Sequence, residues 1–153
     1  MLCHIEVTHN LSELPLCWLA DRASLSGTLR RLKQAVADRC GTEQLLHGEP
    51  HPGSLLGTAK DLRFIDLETC CLGPIEFDIA HVPEEVREHY KDADHELVSE
   101  CRGLTLAIVA AWRCQRDDHD PGGRQAGLEI VSALRDGPPW PSLSVIAQRL
   151  DET

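Results

Sequence analysis

The stretch HGEPHPGSLL, residues 47–56, places two histidines, a carboxylate and a hydroxyl within eight positions, and FIDLE, residues 64–68, adds two more carboxylates. Transfer of a phosphoryl group to a hydroxyl needs a carboxylate that accepts or orients the hydroxyl proton. It also needs a few oxygen ligands for Mg²⁺, which keeps water and phosphate ligands as well. Glu49 can supply the first carboxylate, and Ser54 and Asp66 can supply a neutral and a charged oxygen for the ion.

A predicted β-hairpin brings the two candidate magnesium ligands together. Leu55 and Leu56 form a short strand, the turn GTAKD follows, and LRFID alternates as the second strand. Ser54 stands before the first strand and Asp66 ends the second. Because the two strands pair, we expect these side chains to lie close to each other.

Helices are predicted over most of the remaining chain. Leu25, Leu29, Leu32 and Val36 have helical spacing, which predicts a helix over 24–40 that Ser24 or Ser26 caps and Gly41 ends. Other predicted helices are a short one within 11–23, one from Asp78 to Pro83, and those at 84–91, 93–116, 124–135 and 142–151. LETCCLGPIEFD is predicted to be a loop. The expected fold is therefore mainly α with a small β-hairpin (α+β), in a single domain over 1–153.

Composition and charge exclude several classes of partner. The chain has 153 residues with 42% hydrophobic residues and a formal net charge of -10, which disfavours nucleic acid and anionic membranes as partners. The longest apolar run, residues 104–112, is too short to span a bilayer and is expected in the core. Seven cysteines without a CxxC pair and the lack of a signal peptide indicate free, buried thiols in a reducing cytoplasm.

Other interpretations of the polar residues stay open at this point. His47, Glu49 and His51 alternate along an extended segment and could bind zinc, although Pro50 and Pro52 argue against the helical HExxH arrangement. The same loop could also be a plain structural turn. Two further groups are expected to be structural: the histidines outside the loop, His81 among them, and the tryptophans, which are Trp18, Trp112 and Trp140.

Three segments taken together resemble the catalytic core of the aminoglycoside phosphotransferase and choline kinase-like family. That family has the pattern HGDxHxxN, then a strand end IDxE or IDFE, then GPxxxDLA. Here the corresponding segments are HGEPHPGSLL, FIDLE and LGPIEFDIA, within residues 27–82. The resemblance implies the C-terminal lobe of the protein kinase-like fold, ATP and Mg²⁺ as cofactors, and a small-molecule hydroxyl acceptor.

The resemblance also implies roles for single residues. Glu49 stands at the position of the catalytic aspartate, the general base. Ser54 stands at the position of a magnesium-binding asparagine, and Asp66 matches the metal-binding aspartate. His51 stands where a side chain can approach the transferring phosphate, as part of a cofactor-binding site. Asp78 matches an aspartate that supports the loop and caps a helix.

The chain departs from the family pattern in ways that imply an impaired or truncated kinase. Glu49 has one methylene more than the aspartate of the family pattern, and Ser54 has a shorter side chain than the asparagine. A displacement of about 1 Å at a reacting group can lower the rate about 10²-fold. No Gly-rich loop or lysine precedes Lys33, so we expect the N-terminal nucleotide lobe to be absent. A homo-oligomer or a partner chain would then complete the cleft. The alternative is a non-catalytic kinase-like remnant that acts as a ligand- or protein-binding module.

Overall fold

The computed structural model describes residues 19–115 and 118–146, which form a mainly helical fold with two small antiparallel sheets. In chain order the elements are α1 (Leu19–Arg39), β1 (Gln44–Leu46), β2 (Leu55–Gly57), β3 (Leu62–Phe64), β4 (Cys71–Gly73), α2 (Ile75–Ile79), α3 (Glu84–Arg87), α4 (His95–Arg113) and α5 (Gly123–Asp136). In this part of the chain, no helix has the length and apolar character needed to cross a membrane.

Helix α4 is the centre of the hydrophobic core, as its long apolar run predicts. It packs against both α1 and α5. Leu106 and Ala107 of α4 are fully buried, and Leu32 of α1 and Ile130 of α5 are buried in the same cluster. Each large aliphatic side chain removed from water in this way stabilises the fold by about 1.5–3 kcal/mol. The helical layer therefore supports the short strands and α2. It is stabilised by burial of aliphatic side chains, which does not depend on the polar loop.

A polar cluster fixes the beginning of α4 relative to α1 and α2. The Asp94 carboxylate caps α4 by accepting from the backbone N–H groups of Glu96 (2.9 Å) and Leu97 (3.2 Å). It also accepts from Arg39, at the end of α1, at 2.9 Å. The backbone hydrogen bond from Leu97 and then the Arg39 guanidinium lower the pKa of Asp94. Glu76 of α2 accepts from the Asp94 N–H at 3.2 Å, and this hydrogen bond joins α2 to the cluster.

Several predicted helix boundaries are wrong. Helix α1 already includes Leu19, so Ser24 and Ser26 lie inside it and cap nothing. Helix α2 begins at Ile75, so Asp78 lies in the helix rather than at its start. The helices predicted at 84–91, 93–116 and 124–135 are confirmed in type with different ends. The described end of the short helix predicted within 11–23 belongs to α1. Of the helix predicted at 142–151, residues 143–146 are helical, and 11–18, 116–117 and 147–153 lie outside the described residues.

The β2–β3 hairpin is confirmed, and a second sheet was not predicted. In the hairpin, Leu55 pairs with Phe64, and the turn closes through Thr58 Oγ1, which donates to the Asp61 carbonyl at 2.9 Å. The second sheet joins β1 to β4, which lies within the segment predicted to be a loop. Each of these strands has three residues, too few for an alternating pattern, and they pair across more than twenty positions of the chain.

Trp140 is buried against α4 at a position where the helix has no side chain. Its exposed fraction is 6%. A Cβ added to Gly103 would lie 2.7 Å from the indole ring of Trp140, closer than real side chains approach each other. Gly103 is therefore needed for the packing of Trp140, and the prediction that Trp140 is a packing residue is confirmed.

Replacement of Gly103 by alanine should destabilise the protein. The new methyl group must displace the buried indole, and overpacking of this kind costs about 1–3 kcal/mol. The matched control is Gly27→Ala in α1, where no heavy atom lies within 4 Å of the added Cβ. This control should gain up to about 1 kcal/mol from its helix propensity. Urea denaturation of both variants checks the prediction, which fails if Gly103→Ala is as stable as Gly27→Ala.

Candidate functional site

The carboxylate of Asp78 holds the loop that carries Glu49 through two hydrogen bonds. One oxygen of Asp78 accepts from the backbone N–H of His47 at 2.9 Å, and the other accepts from the N–H of Gly48 at 2.9 Å. A carboxylate that accepts from two consecutive amides fixes the plane of the peptide between them, and such charge-assisted bonds are stronger than neutral ones. The residue expected to support the loop therefore does contact it, from within α2 rather than from a helix cap.

A second set of contacts ties the same loop to the end of β3 and the turn after it. The His47 ring donates from Nε2 to the carbonyl of Ile65 at 3.0 Å, and Thr69 donates from its hydroxyl to the His47 carbonyl at 3.0 Å. The ring of His47 also lies 5.1 Å from that of Phe64, centroid to centroid. The loop and the segment that carries Asp66 therefore form one connected unit.

Gly48 makes this close approach possible. Its φ is +89°, a conformation that side chains disfavour, and an added Cβ would overlap the carbonyl oxygen of Thr69. The glycine in the motif is thus required by backbone geometry and by contact with the neighbouring turn.

The hairpin register brings Ser54 beside the segment that carries Asp66. The carbonyl of Ser54 accepts from the N–H of Ile65 at 2.9 Å, one step beyond the last strand pair, and Asp66 is the next residue. Ser54 is buried, with an exposed fraction of 1%, and its hydroxyl has no hydrogen-bond partner among the described residues. Asp66 has an exposed side chain that makes no capping hydrogen bond.

Asp66 has a left-handed backbone, with φ 63° and ψ 58°. It is the one non-glycine residue with positive φ in the described part of the chain. Aspartate tolerates this conformation better than most residues, but it still costs free energy, and such residues cluster at functional sites.

The donors at this position fit a magnesium ion. Mg²⁺ binds hard oxygen ligands and commonly takes only one or two carboxylates from the protein. Asp66 offers an exposed carboxylate, and Ser54 offers a neutral oxygen whose hydrogen-bonding capacity is otherwise unused.

The zinc interpretation is not supported. In the described residues, no group of three or more histidine, cysteine, aspartate or glutamate side chains could hold a metal ion. The His47 ring is engaged with Ile65, and His51 Nδ1 accepts from the N–H of Gly53 at 3.1 Å. The His51 bond leaves the neutral ring with its proton on Nε2, a donor that suits a phosphate oxygen.

A cavity of about 300 Å³ adjoins Glu49, and most of its described lining residues have no functional role predicted from the sequence, including three with polar or aromatic side chains. These three are His81, Thr105 and Trp112. Trp112 was expected to be a packing residue, but 37% of its surface is exposed and it lines the cavity. The helical spacing of Thr105 and Trp112, i and i+7 on one face of α4, could have suggested their proximity. Ser54, Asp66 and His51 do not line this cavity.

His81 is half-buried, and the partial loss of its hydration keeps the ring neutral at ordinary pH. Burial lowers the pKa of its ring to about 4, with smaller contributions from His51 and His47. It lies edge-on to Phe77 and within 3.4 Å of the Thr105 hydroxyl. The cavity is thus lined by the uncharged imidazole ring of His81, which can donate or accept a hydrogen bond.

Comparison with known families gives one match. A family model described as the phosphotransferase enzyme family matches residues 6–113, a span that includes Glu49, Ser54, Asp66 and Asp78. No curated protein and no solved structure matches the chain significantly.

The lowered pKa of His81 predicts that the folded protein loses stability at acidic pH. The unfolded chain binds a proton at this ring as pH falls through about 6.5. The folded chain does so only near pH 4. The free energy of unfolding should therefore fall over this window, by about 3 kcal/mol at pH 4. His81→Gln should remove this part of the loss, as measured by urea denaturation at several pH values.

His89 provides the control, because its side chain is exposed. His89→Gln should keep the acid sensitivity of the parent chain. Equal pH profiles for His81→Gln and the parent would contradict the assignment of a buried neutral ring at His81.

Proposed function

The chain belongs to the phosphotransferase enzyme family, and on this basis we propose that it transfers the γ-phosphoryl group of ATP to a hydroxyl of a small molecule. The observation that carries the proposal is the anchored loop. Asp78 and Gly48 hold Glu49 at the edge of a cavity, on the same connected unit as Ser54 and Asp66. A phosphoryl-transfer site needs a base at an acceptor cavity and cation ligands at one side of it.

Each residue has a distinct role in the proposed reaction. Glu49 accepts the proton of the acceptor hydroxyl as the hydroxyl oxygen approaches phosphorus. Asp66 and Ser54 would hold Mg²⁺, which would neutralise charge on the phosphate oxygens. His51 donates from Nε2 to a phosphate oxygen. The anchors at Asp78 keep Glu49 in place, so the loop does not reorganise during the reaction.

The two departures from the family pattern, at Glu49 and Ser54, should lower the rate of phosphoryl transfer. Glu49 reaches one methylene further than the aspartate it replaces, and Ser54 is shorter than asparagine and fully packed. We therefore propose a slow enzyme, built on the C-terminal lobe of a kinase-like fold. The described cysteines form no disulfide with one another, which suits a reducing cytoplasm. Cys101 and Cys114 are buried as expected, whereas Cys70 is exposed.

One observation favours a second candidate, a protein-binding module. The strands leave large apolar side chains exposed to solvent, which we name the strand surface: Leu45 and Leu72 on one sheet, and Leu62 and Phe64 on one face of the other. Leu45 and Leu72 face each other across β1 and β4, so this part of the surface is continuous. Exposed apolar patches of this kind mark sites where another chain or a further domain packs. A second copy or a partner chain could complete the nucleotide site there.

A thermal-shift titration with ATP and Mg²⁺ separates the two candidates. If nucleotide binds, the folded state gains RT ln(1 + [L]/Kd), about 2.7 kcal/mol at a hundredfold excess over Kd. Asp66→Ala should lose the magnesium-dependent part of the shift. Asp61→Ala, an exposed aspartate in the turn of the same hairpin, should keep it. Glu49→Gln should also keep the shift but lower any phosphoryl transfer by at least about 10²-fold.

The same samples should be examined by size-exclusion chromatography with light scattering. No magnesium-dependent shift at millimolar ATP, in a chain that self-associates through the strand surface, would favour the binding module. An equal shift in Asp66→Ala and Asp61→Ala would remove Asp66 as a magnesium ligand. Unchanged transfer in Glu49→Gln would remove Glu49 as the base.

A further inference from the structure

The cavity beside Glu49 is closed on its far side by one face of α4 and by α2. Among the described residues it is lined by the anchored loop at Gly48 and Glu49, by residues 68–71, by Phe77 and His81, and by four residues of α4. Residues 105, 108, 109 and 112 have the spacing i, i+3, i+4 and i+7, so they form one stripe on α4. The cavity is therefore bounded by a rigid, buried helix on one side and by the anchored loop on the other.

The helical wall of the cavity is apolar. Ile108, Val109 and Trp112 present aliphatic and aromatic surface, and Phe77 of α2 adds a second aromatic ring. A polar molecule pressed against this wall would lose hydrogen bonds to water without replacement, which costs about 1–3 kcal/mol for each unpaired group. An apolar molecule would instead gain about 25 cal/mol for each Å² that it removes from water.

The charges of the described lining residues disfavour an anionic ligand. Glu49 and Glu68 are acidic, and no described lining residue is a lysine or an arginine. His81 does not supply a positive charge, because burial lowers the pKa of its ring to about 4. A carboxylate or phosphate in the cavity would meet two like charges and no cationic side chain among the described lining residues. Thr105 and His81 offer neutral hydrogen-bonding groups.

We propose that this cavity is the acceptor site and that it takes a compact alcohol whose hydroxyl is carried by an apolar ring without negative charge. The ring packs between Trp112 and Val109, and the hydroxyl faces Glu49. A cavity of about 300 Å³ lies at the small end of ligand pockets, so it accommodates one ring rather than a chain of sugars. The inference rests on the proposed phosphoryl transfer for its chemistry, but the binding it describes needs no nucleotide.

The reaction that follows balances without another reactant. The acceptor oxygen forms a bond to the γ-phosphorus of ATP while the bond from that phosphorus to the bridging oxygen breaks. The hydroxyl proton passes to the Glu49 carboxylate, and the products are ADP and a phosphate monoester of the alcohol. Neither substrate is oxidised or reduced.

Ligand-observed NMR with the full chain tests the binding directly, using three probes of one-ring size. Benzyl alcohol has the apolar ring and the hydroxyl, benzoate adds a negative charge, and glucose has hydroxyls on a polar ring. We expect benzyl alcohol to bind at least tenfold more tightly than either of the others. Equal or tighter binding of benzoate or glucose would overturn the proposal.

Two variants locate the binding. Val109→Trp should fill the cavity and abolish binding of benzyl alcohol, whereas Val145→Trp should not, because Val145 is a partly exposed valine that does not line the cavity. If Val109→Trp does not fold, Trp112→Ala removes one wall from a partly exposed position and should weaken binding at least fivefold, with recovery in Trp112→Phe. Unchanged binding in the folded cavity variants would overturn the assignment.

Failure of this inference can be distinguished from failure of the proposed function. Asp66→Ala should leave benzyl alcohol binding unchanged, because Asp66 does not line the cavity. Probe binding without any effect of magnesium and ATP would retain the cavity as a ligand site and reject phosphoryl transfer. A magnesium-dependent nucleotide shift without probe binding would reject the acceptor class alone.

Discussion

The two hydrogen bonds from the backbone of His47 and Gly48 to the carboxylate of Asp78 are the constraint on which the candidate site depends. They convert a loop rich in proline and glycine into a fixed structure, because both acceptor oxygens are used and the peptide between the two amides cannot rotate. Glu49 follows directly, so its position at the cavity is a consequence of these bonds. Together with the hydrogen bond from the Thr69 hydroxyl to the His47 carbonyl, they keep Gly48 against Thr69.

The helical core makes that constraint effective. Asp78 can hold the loop only because α2 is itself held, through packing on α4 and through Glu76, which accepts from the N–H of Asp94. The ion pair of Arg39 with Asp94 is exposed and adds little stability on its own. Its contribution is geometric, since it brings the end of α1 to the start of α4. The buried helical core thus fixes the position of α2 and, through Asp78, the position of the loop that carries Glu49.

The sequence predicts the parts of the structure that local patterns encode. The alternation in LRFID and the turn before it predict the hairpin, and the apolar run of α4 predicts a core helix; both are confirmed. The β1–β4 sheet was missed because its pairing is non-local and its strands are too short for a pattern. The helix cap assigned to Asp78 was wrong because its carboxylate bonds to a loop thirty residues away. The cavity was missed for the same reason, since its walls come from four separate segments. The roles of Glu49, His51, Ser54 and Asp66 remain proposals.

Hydrogen exchange of the backbone amides in Asp78→Asn is the most direct test of the account. Asparagine has the same shape, but its amide nitrogen would face a backbone N–H and leave that buried donor unpaired, at a cost of about 1–3 kcal/mol. We expect faster exchange at His47 and Gly48, with unchanged protection of the α4 amides and no effect of Asp92→Asn, an exposed control. Unchanged exchange at His47 and Gly48 in a folded Asp78→Asn chain would contradict the claim that Asp78 holds the loop.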